Sequence, residues 1–157
     1  MRISFFGHHD YIANEEDQYA IVCKLDELVG DNYCEFLLGG IGAFDIFARH
    51  CCLEYKKLNT NVKLILVLPY LDRHYEVEGY DDSVYPPLEK VPKRLAIVRR
   101  NEWMVDQSDY IIASVWHYGG ARNTIDYAEQ KKKKIINFAL KNIRISGYIP
   151  IYKKGGR

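Results

Sequence analysis

Short apolar runs alternate along this chain with stretches whose apolar residues return every three or four positions, the pattern of strands and helices in an α/β fold. Arg2 to Phe6 predicts a first strand. Asn14 then offers a helix cap ahead of Glu15, Glu16 and Asp17, and Ile21, Leu25 and Leu28 keep helical spacing until Gly30-Asp31-Asn32 breaks it. Acidic residues in a first turn suit the helix dipole, so a helix is predicted over about Glu15 to Val29. Cys34 to Leu38 predicts a buried strand. In the next helix Phe44, Phe47, Ala48, Cys51 and Tyr55 share one face, a core stripe. Val62 to Leu68 is almost wholly aliphatic, as expected of a parallel strand covered on both faces, and Pro69 ends it.

From Tyr70 to Pro92 the periodicity disappears into tyrosines, acidic residues and Pro86-Pro87, which predicts a long loop able to close over a ligand. Helical spacing returns over Lys93 to Gln107, followed by a strand at Tyr110 to Val115, a helix at Asn123 to Lys131 and a last strand at Lys134 to Phe138. The alternation predicts an α/β, Rossmann-like, doubly wound and mainly parallel sheet of about five strands flanked by helices. Residues 1–140 form the expected domain, and 141–157 a partly flexible C-terminal extension.

Three of the predicted strands run into glycine-bearing loops: Gly7-His8-His9-Asp10, Gly39-Gly40-Ile41-Gly42 and Gly119-Gly120-Ala121. In an open parallel sheet such loops gather at the carboxyl ends of the strands, where backbone N–H groups and helix N-termini receive anions. Gly39, Gly40 and Gly42 would let backbone approach a phosphate, and Asp45 could bind a ribose hydroxyl or serve as a catalytic carboxylate. Gly119 and Gly120, with Asn123 and Thr124 after them, repeat the arrangement. Of Arg99 and Arg100, which point in different directions on one helix, at most one can reach a ligand.

With 22 basic and 21 acidic residues there is no global field for nonspecific nucleic-acid binding. No apolar run approaches a membrane span and no signal peptide opens the chain, so a cytoplasmic setting is expected. Cys23, Cys34, Cys51 and Cys52 form no CxxC pair and read as reduced thiols. His50-Cys51-Cys52 and His8-His9-Asp10 lack metal-site spacing; no metal and no other cofactor is expected. The 13 tyrosines leave a homodimer open.

Phe6-Gly7-His8, Gly40 to Asp45, Leu66 to Pro69, Arg99 to Asp109, and Gly119-Gly120 with Thr124 and Tyr127-Ala128 resemble the SLOG superfamily, and within it the bacterial YpsA-type branch. The likeness runs from Arg2 to Phe138, and Arg100 to Asp109 is its most specific stretch. It implies a Rossmann-like fold and a nucleotide-derived ligand whose candidate contacts include Gly7, His8, Gly39, Gly40, Gly42 and Asp45. Phe44, Pro69, Arg100, Asn101, Gly119, Gly120 and Thr124 complete the implied site.

The chain departs from the family pattern at His9, where the branch has arginine, and at Ala121, where threonine is frequent. Lonely Guy phosphoribohydrolases, which belong to the superfamily, carry paired glutamates after their glycine motif, whereas here only Asp126 keeps a carboxylate. Binding of a nucleotide-derived ligand, as in a receptor, sensor or scavenger, is therefore the expected function. The alternative is cleavage or transfer at a nucleotide N-glycosidic bond using Asp45, Asp126 or both.

Overall fold

A computed structural model describes residues 1–139. The proposed extension over 141–157 lies outside the described residues. Among the described residues six strands form one parallel sheet: β1 (Arg2–Gly7), β2 (Cys34–Leu38), β3 (Val62–Val67), β4 (Asp82–Val84), β5 (Tyr110–Ser114) and β6 (Lys134–Asn137). Their order is β4-β3-β2-β1-β5-β6. The chain winds outward from β1 through β2 and β3 to β4, then returns to the other side of β1 for β5 and β6. This reversal separates the loops after β1 and β5, creating the crevice where open α/β sheets bind ligands.

Helices α1 (Glu15–Val29) and α2 (Ala43–Leu58) cover one face of the sheet, and α3 (Ala96–Gln107) and α4 (Gly120–Gln130) the other. On the first face, Ile21, Leu25 and Val29 of α1 and the predicted stripe of α2 pack on Ile3, Phe5, Phe36, Leu38 and Leu64. On the second, Met104, Val105, Ile125 and Ala128 meet Phe6, Leu37, Ile111 and Ala113. Successive residues of β1 thus enter opposite layers, as the strand period of two requires, and all four from Ile3 to Phe6 are buried.

Helix α1 begins where Asn14 predicts, because the Asn14 Oδ1 accepts the Asp17 N–H at 2.8 Å. Three expectations are corrected. The stretch predicted as one long loop contains a short edge strand, Asp82–Val84, which pairs with Ile65, Leu66 and Val67. The stretch from Lys93 opens with a 3-10 turn over Lys93–Leu95 before α3. Helix α4 starts at Gly120, three residues before the predicted Asn123, so the second glycine belongs to the helix. Among the described residues no helix is long and apolar enough to cross a membrane.

Candidate functional site

A cavity of about 270 Å³ opens at the carboxyl end of the sheet, between the loops that leave β1 and β5. Gly7, His8, Gly39, Asp45, Arg100, Asn101, Gly119 and Gly120 all line it. The topology accounts for this convergence: Gly7 ends β1, Gly39 follows β2, Asp45 lies in the first turn of α2, and Gly119-Gly120 opens α4.

Helix α4 supplies the anion-binding element. Its cap is Gly119, which has no side chain to bond the first-turn amides. The N–H groups of the first turn lack intrahelical acceptors and carry the positive end of the helix dipole, and Gly120 and Ala121 present that turn to the cavity. The loop before it is pinned on two sides. His8 Nε2 accepts the N–H of Trp116 at 3.0 Å and of His117 at 3.3 Å. Asn137 bonds both the N–H and the carbonyl of Val115.

Two amide donors to Nε2 assign the His8 proton to Nδ1. His8 is 3% exposed, and its ring stacks on His117 with centroids 3.5 Å apart. Burial, followed by the neighbouring His117, lowers its pKa below 6.5. The neutral ring is the folded form, so its contribution to stability is complete above pH 6.5 and is lost as pH falls below that value. His8 therefore positions the loop; its Nε2 is already occupied by those two amides.

Arg100 is the arginine of the pair that reaches the cavity, and its Nε and Nη1 donors are engaged by the protein. The residue is 2% exposed, and its Nη1 donates to the carbonyls of Val67 at 2.6 Å and Gly39 at 2.9 Å. Its Nε donates to Asn101 Oδ1 at 2.8 Å, and Asn101 Nδ2 reaches Thr124 Oγ1 at 3.3 Å. Thr124 in turn donates to the Gly120 carbonyl at 3.1 Å. A continuous polar chain thus ties the ends of β2 and β3 to the first turn of α4 and leaves a cation in the cavity floor. Arg99 points outward and pairs with Glu102.

Asp45 faces this arrangement from α2. Its Oδ2 accepts the Ile41 N–H at 2.8 Å, closing the turn after β2, while Oδ1 accepts from no described residue. Burial pushes the Asp45 carboxyl up to about 6, with the Ile41 N–H and the Arg100 charge opposing the rise. The site therefore joins an electropositive end at α4 to a carboxylate end at α2.

Six sequence candidates do not line the cavity. Phe44 is 1% exposed and packs its ring against Tyr11 and the backbone of Gly7. Gly40 and Gly42 hold the turn from behind, Gly42 lying against His9. Pro69 is buried beyond β3 and lines a separate cavity of about 210 Å³ with Tyr85 and Leu88. Thr124 acts through the polar chain. Asp126 pairs with Arg122 at 3.0 Å on the outer surface of α4, so the structure does not bring the two proposed catalytic carboxylates together. The stretch from Tyr70 to Pro92, expected as a lid, contributes no lining residue because it folds along the β3 edge, where Asp81 accepts the Leu64 N–H.

His9, Ile41, Ile97, Met104, His117, Tyr118 and Ala121 also line the cavity. The aromatic pair immediately before Gly119 was the available sequence signal. Ile97 and Met104 follow from the helical register of Arg100, being three residues before and four after it.

No protein-family model and no curated protein sequence matches the chain. Its structure is similar to DNA processing protein A from Helicobacter pylori, described there in its single-stranded DNA binding mode, with a TM-score of 0.60 and 15% identity over 94% of this chain and 73% of that one. DNA processing protein A from Streptococcus pneumoniae gives a TM-score of 0.61 and 15% identity over 85% of this chain, which spans only 48% of that protein's chain. The molybdenum cofactor carrier protein from Chlamydomonas reinhardtii gives 0.55 and 18% identity over 88% and 76%. At these identities the likeness establishes the Rossmann-like fold.

Proposed function

We propose that the protein binds a nucleotide or nucleotide-derived ligand as a SLOG-type receptor, sensor or scavenger of the YpsA branch, with residues 1–140 acting as one domain. The ligand's phosphate meets the first turn of α4, and its ribose hydroxyls meet Asp45 Oδ1. The observation that carries this reading is an uncapped helix N-terminus opening into a switch-point cavity opposite that carboxylate. A cavity of about 270 Å³ suits a phosphate and sugar better than a polymer strand. That one similar fold binds single-stranded DNA and another carries the molybdenum cofactor supports a ligand-binding role. Hydrolysis of an N-glycosidic bond calls for two carboxylates flanking it, and the separation of Asp126 from Asp45 favours binding.

Thermal unfolding with mononucleotides, dinucleotides, cyclic nucleotides and inorganic phosphate tests the reading. A phosphate-bearing ligand at 100 times its Kd stabilises by about 2.7 kcal/mol, a clear rise in Tm. Silence across the panel, phosphate included, contradicts it. Asp45→Asn adds a pH signature. Because the folded carboxyl titrates at about 6 instead of 3.8, ionisation costs the wild-type protein stability progressively as pH rises between these values. The asparagine variant escapes that cost, so its ligand-free Tm should exceed wild type above pH 6 while its ligand-induced shift shrinks.

A further inference from the structure

Three aromatic residues, Trp116, His117 and Tyr118, lie between β5 and the Gly119 cap of α4. Two of the three rings have partners inside the fold. Trp116 meets the His8 ring edge to face with centroids 4.5 Å apart, and His117 stacks on the same ring. The third is free: among the described residues the Tyr118 side chain makes no hydrogen bond, ion pair or ring contact, and the residue is 92% exposed.

Its backbone, in contrast, is held. The residue before it donates its N–H to His8 Nε2 at 3.3 Å, and the Tyr118 carbonyl accepts from His117 Nδ1 at 2.7 Å. A free ring on a fixed backbone presents a large amphipathic surface at small entropic cost, since only two side-chain torsions are frozen when a ligand lies on it.

Tyr118 lines the cavity between β1 and β5, and its exposure places it at the mouth. Ile41, from the loop after β2, and Ile97, from α3, also line the cavity and are 43% and 37% exposed. Apolar and aromatic side chains thus come to the opening from three elements, while the buried Arg100 lies in the floor. Size decides what they meet. Pockets that enclose a whole ligand occupy about 300–1,000 Å³, and this one holds about 270 Å³. A phosphate and a sugar fill it, so the group attached to the sugar emerges among Tyr118, Ile41 and Ile97.

We infer, resting on the nucleotide-binding reading above, that the base of the bound nucleotide lies outside the cavity, stacked on the Tyr118 ring. Stacking uses the π-face common to all bases, so Tyr118 reads the presence of a base and not its hydrogen-bonding edge. Purines, with the larger face, gain more.

Calorimetric titration of the full chain with ribose 5-phosphate, uridine monophosphate and adenosine monophosphate tests this. The wild-type protein should bind both nucleotides more tightly than the sugar phosphate, and adenosine monophosphate most tightly. Tyr118→Ala should weaken the nucleotides by about tenfold and leave ribose 5-phosphate unchanged, whereas Tyr118→Phe should keep wild-type affinity. Because the exposed side chain supports no other residue, both variants should keep the wild-type Tm. Equal affinity of the wild-type protein for the sugar phosphate and the nucleotides, or equal weakening of all three by Tyr118→Ala, would overturn the stacked base while leaving phosphate binding in place. Silence of all three ligands would remove the nucleotide site itself, and the stacked base with it.

Discussion

Replacing Arg100 with methionine is expected to destabilise the protein by about 3 kcal/mol, measured by urea unfolding. Methionine fills most of the same volume, so the loss isolates the polar connections. Two carbonyls at the ends of β2 and β3, Gly39 and Val67, lose their buried donor, and each unsatisfied group costs about 1–3 kcal/mol. Asn101 Oδ1 loses its donor as well. Relief from desolvating the guanidinium offsets only part of this, because that group is weakly hydrated and its partners are neutral carbonyls that stay behind. Arg100→Lys should fall between the two, since one ammonium cannot span both carbonyls and Asn101. A further readout is electrostatic: loss of the cation removes a charge that holds Asp45 down, so the Asp45 carboxyl should titrate above its wild-type value. An Arg100→Met variant as stable as wild type would show that the chain from β2 and β3 to α4 does not hold the site together.

Gly7→Ala should also cost about 3 kcal/mol, at the upper end of what one inserted methyl does in a packed interior. A Cβ at Gly7 would overlap the Phe44 ring, and the ring has little room to withdraw, being wedged between Tyr11 and Phe47. Displacing it would move the first turn of α2, which carries Asp45, so ligand-induced stabilisation should fall together with stability. Phe44→Ala alone is expected to cost about 3–5 kcal/mol. The double variant tests the mechanism. With the ring gone the new methyl has space, and the two losses should fall short of additivity by about 2 kcal/mol. Strict additivity would mean that Gly7 is required for some reason other than contact with Phe44.

The chain announces its helices and inner strands because their signals are local. Asn14 caps α1 at the predicted residue, and the stripe from Phe44 to Tyr55 lies buried as its spacing requires. The edge strand β4 escapes such reading: three residues, Asp82-Ser83-Val84, are too few to show alternation, and they become a strand only through their pairing with β3. The start of α4 escapes it too, because glycine is a poor helix former and Gly120 is helical through its place above the polar chain, not through propensity.

The loops that meet at the cavity are legible as glycine-rich ends of strands. What each glycine does there is not. Gly7 and Gly39 sit against the Phe44 ring and the Arg100 guanidinium, contacts between residues 37 and 61 positions apart. The same distance in sequence hides the occupation of His8 Nε2 by the loop after β5 and the turning of Arg100 toward carbonyl groups. Asp126 illustrates the converse. Its spacing from Gly119 invites a role at the site, yet its position on α4 points to Arg122 on the outer surface.

The proposed function requires a phosphate-bearing ligand at the first turn of α4, across the cavity from Asp45. Amide chemical shifts of the full-length protein, followed while a nucleoside monophosphate is titrated in, test it most directly. Saturable shifts are expected at Gly119, Gly120 and Ala121, with a second group at Ile41 through the Asp45 hydrogen bond. Inorganic phosphate should move the first group alone. Shifts confined to other surfaces, or none at millimolar nucleotide, would contradict it.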